Sequence, residues 1–154
     1  MRPHKWFSFL NAHLSYVHPP ARAHEASFMT EYAGGLGLAA GDMNTSLPEW
    51  AGGPPDPGSW DGVLPRNLRS RHLAPPAAPG GFEPSAKLLR AGWRSPGVLP
   101  PTAGHWDPVN EPHHHTPDHI LLSEPLLDRV RVLDYRVIDV PYSDHKPVVL
   151  DLDT

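Results

Sequence analysis

Two short polar clusters in this chain follow or precede apolar runs and carry groups that can do chemistry. Gly41-Asp42-Met43-Asn44 comes directly after Leu36-Gly37-Leu38-Ala39-Ala40, and Ser143-Asp144-His145 stands before Lys146-Pro147 and Val148-Val149-Leu150. Asp42 and Asn44 are two apart, so in an extended segment their side chains point the same way. A carboxylate and an amide on one side can hold a water and a phosphate oxygen together. Taken alone, the same residues fit an Asx-rich turn after a strand. Asp144 offers the oxygen ligand that a hard cation such as Mg²⁺ prefers. The neighbouring His145 titrates near neutrality when unperturbed, which suits it to accept a proton or to stabilise developing charge. Here too a plain surface turn leading into a strand is the competing reading.

Two further residues extend the set. Asp118, in Asp118-His119-Ile120-Leu121, is the natural orienter for His145, because a carboxylate bound to one imidazole nitrogen fixes the tautomer that faces a substrate. His13, in Asn11-Ala12-His13-Leu14, closes an early apolar segment. A run at His113-His114-His115 lies in proline-rich sequence without the i, i+3 or i, i+4 spacing of a defined metal site. It reads as an exposed loop with adventitious affinity for transition metals.

The elements that must place these residues follow from the apolar pattern. Residues 6–14 read as a strand, and Ala21–Ala33 as a helix started by Pro20, stopped by Gly34-Gly35, with Phe28, Met29 and Tyr32 at helical spacing. Leu36–Ala40 reads as a buried strand delivering Asp42, and Ser85–Trp93 as a short helix with Ser85 as its N-cap and Leu88 and Leu89 on its buried face. Three strands close the chain at His119–Ser123, Val130–Ile138 and Pro147–Leu152. Between them lies a Pro/Gly-rich loop at about 51–84, whose polyproline segments read as linker. Strand, helix, strand with polar residues at the strand ends is the layout of an α/β site.

The bulk properties set limits. The 154 residues form one domain. The net charge of −4 and the scattered basic residues lower the prospect of a non-specific binder of long nucleic acid. Cysteine is absent, so there is no disulfide framework and no thiolate metal site. The apolar stretch Trp6–Leu10 is too short for a signal peptide and has no cleavage site. The expected location is therefore the cytoplasm by default, with no membrane span.

The order His13, Asp42-x-Asn44, Asp118-x-Ile120, Ser143-Asp144-His145, with Ala91-Gly92-Trp93 and Pro101-Thr102 between, resembles the endonuclease/exonuclease/phosphatase superfamily of DNase I-like fold. The resemblance implies a four-layer α/β sandwich and hydrolysis of a phosphodiester or phosphomonoester by metal-activated water. Carried over, Asp42 orients or activates the water, and Asn44 binds phosphate or a metal-bound water. Asp144 ligates Mg²⁺, with Mn²⁺ as a substitute. His145 paired with Asp118 stabilises the transition state or moves a proton, and His13 binds phosphate. The implied substrate is a phosphoester: nucleic acid, a phospholipid headgroup or a small molecule. Where the family has an Arg-Ile pair before the orienting Asp, this chain has Thr116-Pro117.

The resemblance is to the C-terminal portion only. Family members carry a site Asn and a metal-binding Glu ahead of the His motif, and Glu25 and Glu31 here fall on the helix as solvated-face residues. The expectation is a single partial domain over residues 1–154, lacking the N-terminal strands of the sandwich, with a complementing N-terminal segment as a partner. The other class of function is a non-catalytic relic or interaction module that uses the Pro-rich loop or a complementing chain.

Overall fold

A computed structural model of the chain describes residues 6–17, 19–45, 83–103 and 115–154. The Pro/Gly-rich loop as far as residue 82 and His113-His114 lie outside the described residues. Strand β1 (Phe7–His13) leads through helix α1 (Pro19–Thr30) to strand β2 (Leu36–Asp42), and β1 and β2 pair in parallel. Helix α2 (Glu83–Ala91), the short strand β3 (Trp93–Arg94) and strand β4 (Asp118–Ser123) follow, then helix α3 (Glu124–Leu127) and strands β5 (Arg131–Val137) and β6 (Val148–Asp153). One mixed sheet has the order β1-β2-β4-β3, and β5 and β6 form an antiparallel pair of their own.

Helices α1 and α2 cover one face of the larger sheet. The core there joins Met29, Ala26 and Ala33 of the α1 region to Ala39 of β2, Leu121 of β4, Leu88 of α2 and Trp93. Trp93 is fully buried, and its indole N–H donates to the Met29 carbonyl at 3.0 Å. A Cβ at Gly37 would come within 2.8 Å of the Trp93 ring, so the indole seats where β2 offers no side chain. Lys87 of α2 ties the two helices by donating to Ala23 O and Ser27 Oγ. The entry to β2 is pinned by Ser123, whose hydroxyl donates to Gly35 O and accepts from Gly37 N.

Several expectations change in detail. The buried face of α1 is made of Arg22, Ala23, Ala26 and Met29, whereas Phe28 and Tyr32 are exposed. Ala23 and Ala26 let α1 lie close against the sheet and α2, and Met29 fills the core beside Trp93. Ser85 is not an N-cap: it sits inside α2, buried, with its hydroxyl bonded to that of Thr45 at 2.8 Å. Pro84 instead occupies the first turn, where its missing N–H costs nothing. Helix α2 stops at Ala91, and Trp93 belongs to β3.

Among the described residues, the other face of the larger sheet is only partly covered. The β5–β6 pair approaches it at β4, where the Ile120 amide donates to the Tyr135 hydroxyl at 3.3 Å. No residue of β5 or β6 is buried, although β6 is mostly apolar. On edge strand β1, Phe7 and Phe9 stay 56% and 66% exposed on the face that alternation also gives to His13.

Candidate active site

Three strands put three polar side chains in one row. In the register of the sheet, His13 of β1 lies beside Asp42 of β2, and Asp42 lies beside Asp118 of β4. Residues paired across strands share a face, so an imidazole and two carboxylates stand together at one end of the sheet. His13 Nε2 lies 3.6 Å from Asp42 Oδ2, with the His13 side chain 73% exposed.

Asp42 is delivered by a backbone that only glycine allows. Gly41 has φ of 139°, and a Cβ there would lie 1.8 Å from the Ala12 carbonyl oxygen. After Asp42 the chain closes an Asx turn: the Asn44 amide donates to Asp42 Oδ1 at 2.7 Å, and Asn44 adopts φ of 48°. The turn reading of this motif is correct, and the turn aims the carboxylate toward the end of the sheet that also carries His13 and Asp118. The Asn44 side-chain amide donates to Leu14 O at 2.8 Å, which ties the site to the segment after His13.

His145 arrives from the turn before β6 and donates through Nδ1 to Asp118 Oδ2 at 2.8 Å. The same oxygen accepts a hydrogen bond from the Thr102 hydroxyl at 2.6 Å. Thr102 is buried, and its carbonyl accepts from Lys146 N while its amide donates to His115 O. It thus splints the strand end bearing Asp118 to the turn bearing His145. Sequence reading singled out Pro101-Thr102 only by resemblance; a threonine hydroxyl gives no local sign of the carboxylate it will meet.

The electrostatics divide the two carboxylates. Burial pushes the Asp42 carboxyl above its usual range, with the Asn44 amide opposing and the Asp118 charge adding. Burial also works against the Asp118 charge, but hydrogen bonds from His145 and Thr102 outweigh it and hold this carboxyl below the usual range. The bond to Asp118 drives His145 up to about 9, so at neutral pH it is an imidazolium facing two carboxylates.

Ligand atoms of Asp42, Asp118 and His145 lie within 4.8 Å of one another. Two carboxylates suit a hard divalent cation, and the protonated His145 would have to give up its proton to join as a ligand. Asp144 is exposed and stands outside this group. Glu31 is solvent-facing as expected, whereas Glu25 is half-buried and accepts a hydrogen bond from Ser15 N.

No protein-family model and no curated protein sequence matches this chain. Among solved structures, an AP endonuclease from Archaeoglobus fulgidus superposes with a TM-score of 0.60 at 15% identity. The match covers 95% of this chain and 61% of that one. The fold is mixed α/β and similar to the DNase I-like fold of that enzyme. The chain spans less than two thirds of the enzyme it superposes on. No helix among the described residues is long and apolar enough to cross a membrane.

Proposed function

We propose that this chain carries the catalytic end of a metal-dependent phosphoesterase that hydrolyses a phosphodiester or phosphomonoester with activated water. The observation that supports it most directly is the row His13, Asp42, Asp118 with His145 held on Asp118 at 2.8 Å. Asp42, with the raised affinity for a proton that its burial gives it, orients the attacking water and takes its proton. Imidazolium His145, fixed by Asp118, stabilises charge developing on the phosphoryl oxygens or protonates the leaving group. Asn44 and the exposed His13 contact the phosphate. Asp42 and Asp118, with Asp144 as a further candidate ligand, would hold a Mg²⁺ or Mn²⁺ ion, which would supply charge neutralisation and polarisation.

Similarity to an AP endonuclease makes nucleic acid the first substrate class to try. The net charge of −4 favours small phosphoesters or lipid headgroups over long DNA. We also propose that the active form is completed by further polypeptide, such as a complementing N-terminal segment. The unburied β5–β6 pair, the exposed Phe7 and Phe9, and the unmatched part of the A. fulgidus enzyme support this reading. The same exposed surface favours, as a second reading, a non-catalytic interaction module.

The test is Mg²⁺-dependent hydrolysis of an AP-site DNA duplex, a phospholipid and a small aryl phosphodiester, by this chain and by a version extended upstream. Activity lost in Asp42→Asn and His145→Ala supports the hydrolase. An extended, folded version inert on all three substrates argues for the interaction module.

A further inference from the structure

The segment after His13 is held more firmly than a surface connection usually is. Leu14 N donates to Asp42 O at 2.9 Å, and Leu14 O accepts from the Asn44 side chain at 2.8 Å. Ser15 N donates to Glu25 Oε2 at 2.5 Å, and Ser15 O accepts from Arg22 Nη1 at 3.0 Å. All four backbone hydrogen-bonding groups of these two residues are therefore engaged, two by Asp42 and Asn44 and two by ionisable side chains of α1.

Arg22 and Glu25 are three apart on α1 and so share a face of the helix. Arg22 is fully buried, with the charges of Asp42 and Glu25 attracting it. Taking a guanidinium out of water is costly, and a buried ion pair is often no more stabilising than apolar residues of the same volume. Stability alone is thus a poor account of the buried guanidinium of Arg22. What Arg22 and Glu25 do engage is the backbone N–H and carbonyl of the residue two beyond His13, whose ring lies 3.6 Å from Asp42 with its side chain 73% exposed. Strand pairing fixes the backbone as far as the Leu14–Asp42 hydrogen bond, and the contacts at Ser15 hold the segment that leaves it.

We propose that Arg22 and Glu25 are positioning residues: they clamp Ser15 and thereby aim His13 across Asp42 at the phosphate-binding side of the site. The inference rests on the phosphoesterase reading for the ligand, and on the geometry alone for the clamp. It gives α1 a role beyond core packing and assigns Glu25, solvated by its sequence pattern, to the support of the site.

The test uses the intact chain labelled at histidine and backbone nitrogen, with inorganic phosphate plus Mg²⁺ as the probe. Hydrogen exchange at Ser15, the nuclear Overhauser contact between the His13 ring and Asp42, and the His13 response to phosphate are compared in Glu25→Ala and Glu25→Gln. Glu25 is only half-buried, so both variants are expected to fold; melting temperatures check this, and Arg22→Lys provides a second variant. The expected result is faster Ser15 exchange, loss of the His13–Asp42 contact and roughly tenfold weaker phosphate binding in Glu25→Ala. Glu25→Gln, which keeps an acceptor for Ser15 N, should restore most of each. A His13–Asp42 contact that persists in a folded Glu25→Ala overturns the clamp. A phosphate response that is absent from His13 in the unaltered chain overturns the phosphate role, while exchange and the ring contact still decide the clamp.

Discussion

Thr102, Asp118 and His145 form a chain of hydrogen bonds in which one carboxylate oxygen serves two donors. Removing the hydroxyl in Thr102→Val leaves a part-buried carboxylate short of a partner, at a cost of about 1–3 kcal/mol. Thermal or urea unfolding should show that loss, and Thr102→Ser should recover most of it. The His145 titration is a second check. Its raised value means that the pair contributes stability fully below about pH 6.5, the ordinary imidazole value. That contribution is lost as pH rises through about 9, where folded His145 gives up its proton. In Asp118→Asn, nuclear magnetic resonance titration should find His145 moved down from about 9. A His145 that titrates unchanged in that variant rules out the pairing.

Strand β2 is where the backbone decides the site. Gly41→Ala places a methyl group against the Ala12 carbonyl in a conformation that L side chains rarely adopt. Strand β1 and β2 cannot separate without breaking their ladder, so we expect a loss of about 4 kcal/mol or more, read as a large fall in melting temperature. Gly37→Ala meets the Trp93 ring at 2.8 Å and the Tyr32 carbonyl oxygen at 3.0 Å, in a backbone conformation open to any residue. Overpacking of this kind costs about 1–3 kcal/mol, so this variant should fold with a lower denaturation midpoint. Helix α2 shows how an element's local signals are overruled. Ser85 has the residue type of an N-cap, but its hydroxyl is bound to Thr45 inside the core.

At the scale of the molecule, buried and exposed surfaces make opposite demands. His119 is 1% exposed on β4, and burial drives its pKa down to about 4. It stays neutral in the folded chain but protonates in the unfolded one, so stability holds above about pH 6.5 and is lost as pH falls toward 4. The loss is on the order of 3 kcal/mol. Denaturant unfolding at pH 7 and pH 4.5 should show it, and His119→Asn should flatten the difference. The exposed face of β1 raises a different expectation. Edge strands without charged guards invite association, and the chain alone should self-associate with rising concentration in light scattering. Phe9→Lys should keep it monomeric; an unaltered chain that stays monomeric throughout speaks against an uncovered face.

What was legible in the sequence is what depends on neighbours in the chain. The period of apolar residues gave strands at 6–14, 36–40, 119–123, 130–138 and 147–152, each within two residues of a strand that forms, and the short polar motifs singled out His13, Asp42, Asn44, Asp118, Asp144 and His145 as candidates. Local turn chemistry also gave the Asx turn at Asp42. Which of these meet was decided only by strand register, which sets His13, Asp42 and Asp118 side by side from segments far apart in the chain. The roles of Thr102, Arg22 and Glu25 were equally out of reach, because a hydroxyl, a guanidinium or a carboxylate is defined by the partner that folding brings to it. Proximity sets pKa, and proximity between distant residues exists only once the sheet has formed.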